Sequence, residues 1–516
     1  MTRCPRCHAA NEDGAIYCTT CTGRLREAAG ERKHRTTKKV AAEILRKAGQ
    51  LVQKHKRVAW KLAAACGILL AISAALLMGI KSCEERERER EAKRTAWLET
   101  SPEAKKAAEH LKSANLKYPT TNDTIMAARC ADLNALKTIE KSGFKDWSNR
   151  EIMLAACQTP FSDVVIFIRE RGRNIEAKDQ NGNTALMLAA GTSGNLKTVK
   201  YLVSQGADVN ARNKDGWTVL IHAANTAGNL ETIKFLLDER KEKCKVRVND
   251  KNNEGQTALM RAAMIVDNLD TVQYLVSKKA DVNAKDGHGF TVLMRAVMTA
   301  GNLKTVEYLV GQGAEVKTKG AGDRTALMCA AETSGNLETV KYLVSQGADV
   351  NAQKKDGKTV LMFAAGTPDN IETVKYLVSR GADVNGKNED GFTVLMNAVT
   401  TPGNLETVKY LVSQGADVNA RNINERTVLM FAVEIAGNLK AAEYLIDQGA
   451  TINARDKNNY TALMWAAITE GNLDMVKYLA SPSQGATIDA KDIDGKTALD
   501  HAADEPVREY LREMIE

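Results

Sequence analysis

Residues 325–351 read TALMCAAETSGNLETVKYLVSQGADVN. Thr325 is a residue type that caps a helix start, and a short helix is predicted through LMCAAE. Asn336 is expected to cap a second helix, LETVKYLVS, in which Leu337, Val340, Leu343 and Val344 share one face. Gly347 suits the left-handed residue that ends such a helix. Ala348 to Asn351, followed by the turn Lys355-Asp356-Gly357, reads as a β-hairpin finger. One such unit cannot bury its apolar face alone, so copies must stack.

Copies are present. A Thr-[Ala/Val]-Leu step recurs at 184, 218, 257, 291, 325, 359, 393, 427, 461 and 497. Seven of the nine intervals are 34 residues and the others are 39 and 36. The unit resembles the ankyrin repeat, whose pattern is Thr-Pro-Leu-His-x-Ala-Ala, a second helix, then Gly-Ala-Asp-Val-Asn. The resemblance covers ten repeats over residues 179–516. Two degraded units over 121–178, around Met126-Ala127-Ala128 and Met153-Leu154-Ala155-Ala156, read as capping repeats. The unit departs from the family by one extra residue between its helices. Met replaces the His at 187, 260, 294, 328, 362, 396, 430 and 464, with Ile221 and Asp500 in the remaining two repeats. Met at a repeat-locked helical position points to packing between repeats rather than a copper ladder. Lys279 stands where other repeats have Gly; a left-handed Lys there costs about 1 kcal/mol relative to Gly.

The whole chain has 516 residues and a net charge of +8. Charge is uneven: residues 1–61 carry 15 Lys+Arg against 5 Asp+Glu, and residues 95–516 carry 51 against 54. A near-neutral array gives no reason to expect nucleic-acid binding by it. Four of the ten cysteines, Cys4, Cys7, Cys18 and Cys21, form a Cys-x2-Cys-x10-Cys-x2-Cys pattern. Two such knuckles place four thiolates around one structural Zn²⁺, and a segment this short needs the metal to fold. The run resembles the short zinc ribbons at the N-termini of many bacterial proteins, with Pro5, Asn11 and Leu25 at family positions and His8 where Gly is usual. Cys4 to His8 also fits a haem-attachment motif. Haem attachment requires export of the N-terminus, and the second knuckle at ribbon spacing favours zinc.

Leu62 to Ile80 is 19 residues without a charge, bracketed by Trp60, Lys61 and Lys81. That matches a single transmembrane helix better than a signal peptide or a lipoprotein acceptor at Cys83. Six Lys/Arg lie within twenty residues on either side, so the positive-inside comparison ties. Five further basic residues between Arg32 and Lys39, and thiolates best kept in a reducing compartment, favour a cytoplasmic N-terminus. The array is then extracytoplasmic, or periplasmic in a bacterium. The expected architecture is an all-α ankyrin solenoid of helix pairs with β-hairpin fingers, preceded by a small zinc ribbon and one transmembrane helix. Its parts are a ribbon at 1–25, a basic juxtamembrane segment at 26–61, the span at 62–80, a charged, solvated helical stalk at 81–120, and the repeats. In the stalk, Ser101 and Pro102 open a helix. Two insertions lengthen the array, Lys241 to Arg247 and Ser481-Pro482, and both read as surface loops, the basic one a possible contact site.

Binding residues are sought where units differ from one another. The position before each Thr varies: Asn183, Trp217, Gln256, Phe290, Arg324, Lys358, Phe392, Arg426, Tyr460, Lys496. So does the position after each Met: Leu188, His222, Arg261, Arg295, Cys329, Phe363, Asn397, Phe431, Trp465, His501. In the ankyrin family the finger position borders the concave binding surface. Exposed aromatics and Arg anchor protein interfaces, so Trp217, Arg261, Phe290, Arg295, Phe363, Phe392, Phe431, Tyr460 and Trp465 are the expected partner contacts. Phosphate loops, His-Glu-x-x-His and nucleophile elbows are lacking, and an enzyme is not expected. The expected function is a membrane-anchored scaffold for an unidentified protein partner. The alternatives are an envelope spacer with no dedicated partner and a zinc-ribbon regulator sensing through the solenoid.

Overall fold

A computed structural model describes residues 88–99, 101–114, 116, 120–142, 144, 150–171, 174–238 and 246–515. The expected ribbon, juxtamembrane segment, span and most of the basic insertion lie outside the described residues. Among the described residues no helix is long and apolar enough to cross a membrane. The chain divides into two compact units, with the boundary along the sequence between Lys214 and Asp215.

In the second unit eight short and eight long helices alternate, from Val219–Ala224 and Leu230–Asp238 to Ala462–Ile468 and Leu473–Ala480. Short helices pack on short helices of the next repeat and long on long. Leu and Val of both helices supply the core: Val340, Leu343 and Leu327 are at most 1% exposed. The capping Thr performs as expected; Thr325 Oγ1 accepts the Met328 N–H at 3.3 Å. The Met beside it is fully buried in every repeat that has one. In several repeats its Sδ also accepts the N–H of the capping Thr, at 3.4 Å for Met396 on Thr393. A thioether thus takes the reciprocal position of a capping box while filling the core.

The second capping residue acts differently from expectation. Asn336 makes no side-chain cap to its own helix. Its Nδ2 instead donates to Val297 O of the preceding repeat at 2.7 Å and to Ala330 O of its own at 3.4 Å. Asn302, Asn370, Asn404, Asn438 and Asn472 repeat the pattern. A six-residue helix leaves its last carbonyls without intrahelical donors, and here a buried amide from the next element serves them.

The fingers also differ from the expected β-hairpins. Among the described residues they form isolated antiparallel bridges, such as Gln353 with Thr359 and Lys387 with Thr393, rather than strands. Consecutive finger tips join through one backbone bond, Glu389 N–H to Asp356 O at 2.9 Å. The approach is close enough that a Cβ on Gly357, at φ 80°, would lie 2.9 Å from Asn388. A second Asn, ending Gly-Ala-Asp-Val-Asn, bridges repeats at the finger base. Asn385 Nδ2 donates to Gly415 O, and its Oδ1 accepts Asp417 N–H, both at 2.9 Å. Lys317 occupies that position once, and the corresponding two bonds to the next repeat are lost there. Gly347 and Lys279 are both left-handed, at φ 83° and 69°. After Thr497 the chain turns rather than forming a short helix. Glu505–Ile515 then closes the stack against Leu473–Ala480, burying Val507 and Leu511.

In the first unit Thr121–Arg129 packs on Arg150–Cys157, which packs on Ala185–Ala190, so the degraded units share the repeat stacking. The helix Pro102–Ser113 begins at the Ser101 cap, with Ala104 N–H on Ser101 Oγ at 3.4 Å, and packs on Thr121–Arg129. The solvated-stalk expectation fails for helical residues 88–99. Arg94 donates to Cys130 O at 2.9 Å and pairs with Asp132 at 3.1 Å. Arg90 pairs with Asp163, and Trp97 meets Phe161 edge-on at 5.5 Å. The alternating arginines seat this helix on the first repeats because their partners are carboxylates and helix-end carbonyls there.

Asn404→Ala leaves Ala365 O and Ala398 O without this donor, and should lower the unfolding free energy by about 1–3 kcal/mol. Lys317→Asn should raise it, by about 1 kcal/mol, as the missing bonds form. Urea titration reads both, and an unchanged midpoint for Asn404→Ala would remove the staple role.

Candidate functional site

The two variable positions converge in the second unit. In most of these repeats the finger residue before the Thr lies against the residue four after that Thr, or against its equivalent in the next repeat. The Arg295 guanidinium is 4.4 Å from the Phe290 ring centre. Arg324, on the next finger, is 5.8 Å from Phe290 and 5.1 Å from Phe363. Phe392 meets Phe431 at 4.6 Å, and Arg426 lies 4.1 Å from Phe431 and 3.7 Å from Trp465. Tyr460 touches Trp465 at 5.3 Å and His501 at 4.9 Å. Arg261 lies 4.5 Å from Trp217. The result is a seam of cations and rings, each contact worth about 0.5–2 kcal/mol.

This corrects the expectation of freely exposed aromatics. Phe363 and Phe431 are buried, at 7% and 6% exposure. Trp217, Arg261, Phe290, Arg295, Phe392, Tyr460 and Trp465 are half-buried. The structure therefore brings the expected residues together as neighbours along one seam, with part of their surface spent on each other.

Three carboxylates missed by the sequence reading complete the seam. Asp286 accepts from Arg295 Nε at 2.8 Å, Asp456 from Trp465 Nε1 at 3.1 Å, and Asp492 pairs with His501 Nε2 at 2.7 Å. Each Asp precedes its partner by nine residues. Its other oxygen accepts finger backbone N–H groups, such as Phe290 N–H on Asp286 at 2.9 Å. The signal was in the repeats: Asp286, Asp456 and Asp492 each have a side-chain donor nine residues on, whereas Asp179 at the same finger position has Leu188. Arg324 pairs with Glu332 and Arg426 with Glu434. Burial pushes the Asp492 carboxyl up, but the His501 bond and backbone donors from Lys496 and Asp494 outweigh it, and the net direction is down. Burial likewise weakens proton binding by Arg261, Glu254 opposes this, and Arg295 adds to it. Among the described residues no group of three or more His, Cys, Asp or Glu is placed to hold a metal ion. Cys4, Cys7, Cys18 and Cys21 lie outside those residues.

Paired short and long helices, joined finger to finger and repeating every 34 residues, define a helical repeat scaffold of ankyrin type. The chain matches the family described as Ankyrin repeats (3 copies) eight times, over residues 125–213, 152–250, 192–286, 242–320, 293–388, 327–422, 395–492 and 429–515. The chain belongs to the ankyrin repeat family. Repeats of this family are typically non-enzymatic modules that bind protein partners. No curated protein matches the sequence.

Phe431→Ala should destabilise the array by about 3–5 kcal/mol, as a buried Phe, rather than act only on binding. Chemical denaturation checks this; a loss below about 1 kcal/mol would return Phe431 to the free surface. The lowered Asp492 carboxyl contributes stability above the ordinary Asp value of about 3.9, and that contribution disappears as pH falls through its folded value. Asp492→Asn should therefore flatten the acid limb of a stability–pH curve below about pH 4. Parallel curves for the two proteins would contradict it.

Proposed function

We propose that the chain is a membrane-anchored ankyrin scaffold that binds another protein through its cation–aromatic seam. The observation that carries the reading is the contrast between constant and variable positions. Thr caps, Asn staples and core Leu recur from repeat to repeat, while the half-buried seam positions change identity and keep Trp, Tyr, Phe and Arg, the residue types that anchor interfaces.

The anchor rests on the 19 uncharged residues from Leu62 to Ile80 and their Trp and Lys flanks. The proposed orientation leaves the N-terminus in the cytoplasm and the array beyond the membrane. The thiolates of Cys4, Cys7, Cys18 and Cys21 would hold one structural zinc ion on the cytoplasmic side, because a four-thiolate set suits zinc and leaves no open position.

The scaffold reading is tested by in-cell crosslinking of the full-length chain followed by mass spectrometry. One protein crosslinked reproducibly to array residues is the expected result. Crosslinks only to abundant neighbours, in no reproducible pattern, would favour the spacer. Metal analysis should give about one zinc per chain, falling sharply in Cys18→Ser; unchanged zinc in that variant would end the ribbon assignment.

A further inference from the structure

Most arginines of the seam are neutralised from within. Arg295 holds Asp286, Arg324 holds Glu332, and Arg426 holds Glu434. Arg261 differs. Its ion-pair partner is Glu254, at 4.0 Å and itself 59% exposed; its own Nε, like that of Arg426, is buried with no hydrogen-bond partner. The reason is one substitution between repeats. Asn252 stands nine residues before Arg261, where Asp286 stands before Arg295. The Asn252 amide is used locally: its Oδ1 accepts Gln256 N–H at 2.8 Å and its Nδ2 donates to Gln256 Oε1 at 3.2 Å. Arg261 therefore keeps the stacked place, over Trp217 at 4.5 Å, without the carboxylate that completes it next door. Arg295 is close enough to repel it, which sharpens the local demand for a negative charge.

The rim beside it exposes apolar side chains, with Asp267 directly after them. One turn beyond Arg261 and Arg295 stand Met264 and Met298, and Val266 and Met298 are 42% and 40% exposed. Thr299 Oγ1 donates to Met264 O at 3.1 Å, which holds the two rims together. The next four repeats have Glu332, Gly366, Thr400 and Glu434 at the Met position.

We propose that Arg261, with Trp217 behind it and Met264, Val266 and Met298 beside it, docks a linear acidic–aliphatic segment of the protein partner. The assignment rests on the scaffold reading above. A carboxylate of the partner supplies to Arg261 what Asp286 supplies to Arg295, and an aliphatic side chain about one helical turn away covers the methionines. A nucleic-acid phosphate is the poorer match, because residues 95–516 carry 51 basic against 54 acidic residues and offer no field to gather a polyanion.

The test pans short random peptides on the full-length chain in detergent micelles, then measures synthetic copies of the enriched peptides by fluorescence anisotropy. Enriched peptides should pair Asp or Glu with Leu, Ile, Val or Met. Arg261→Gln should weaken them about ten-fold or more, and Asn252→Asp, which supplies the carboxylate internally, should do the same while keeping the thermal midpoint at or above that of wild type. Replacing the peptide acid by its amide should cost wild type a similar factor and cost Asn252→Asp nothing. Peptides without an acid, equal affinity for the three proteins, or no enrichment at all would each overturn the proposal. A crosslinked partner that binds Asn252→Asp as it binds wild type also overturns it and leaves the scaffold intact, whereas the absence of any partner of the wild-type chain counts against the scaffold itself.

Discussion

A helix of six residues has almost no interior. Its terminal carbonyls exceed the donors it can supply, and in a stack they are buried between neighbours. The Asn that opens each long helix resolves this, because one amide nitrogen carries two hydrogens. From Asn302 onward it gives one to its own short helix and one to the preceding repeat, as Asn404 does to Ala398 O and Ala365 O, whereas Asn268 bonds Ala262 O of its own repeat. The bond that finishes a helix is thus the bond that sets repeat on repeat. Thr caps, Met packing and finger bridges act around a spacing already fixed by these staples.

The fingers obey a similar economy. Side chains of Asp and Asn close most turns on their own backbone, and a base Asn, replaced once by Lys317, passes two bonds to the next repeat. What is left variable is the seam between finger and short helix, where satisfaction comes from stacking. Phe290 shares its ring with Arg295 and Arg324, and Arg426 lies against both Phe431 and Trp465. Such sharing lets sequence change along the array without changing the fold, provided neighbouring repeats change together.

The helices, their Thr caps and the left-handed Gly347 and Lys279 were legible because each depends on a few adjacent residues and recurs. The Asn staple was not, since its two acceptors are backbone carbonyls 6 and 39 residues away and a helix-opening Asn ordinarily caps its own helix. The docking of residues 88–99 was hidden for a related reason. Alternating Glu and Arg describe a solvated helix until Asp132 and Asp163, 38 and 73 residues distant, are brought beside them. The seam positions were found by comparing repeats, but their burial was not, because variability marks freedom from the helical pattern and not exposure.

That distinction governs where binding can reside. At Phe363 and Phe431 the ring is already enclosed by its neighbours, so a partner gains little new contact and a mutation mostly removes packing. At Arg295 the charge is already held by Asp286, and a partner carboxylate competes with a buried internal one. Only where the internal partner is missing does an external group add interaction without displacing any. In the described array Arg261 comes nearest to that condition, holding the exposed Glu254 at 4.0 Å in place of a buried Asp, through a single Asp-to-Asn difference between adjacent repeats. A repeat protein can therefore acquire a recognition point by losing one internal contact while the staple from the following repeat, Asn302 on Ala263 O, keeps the scaffold in place.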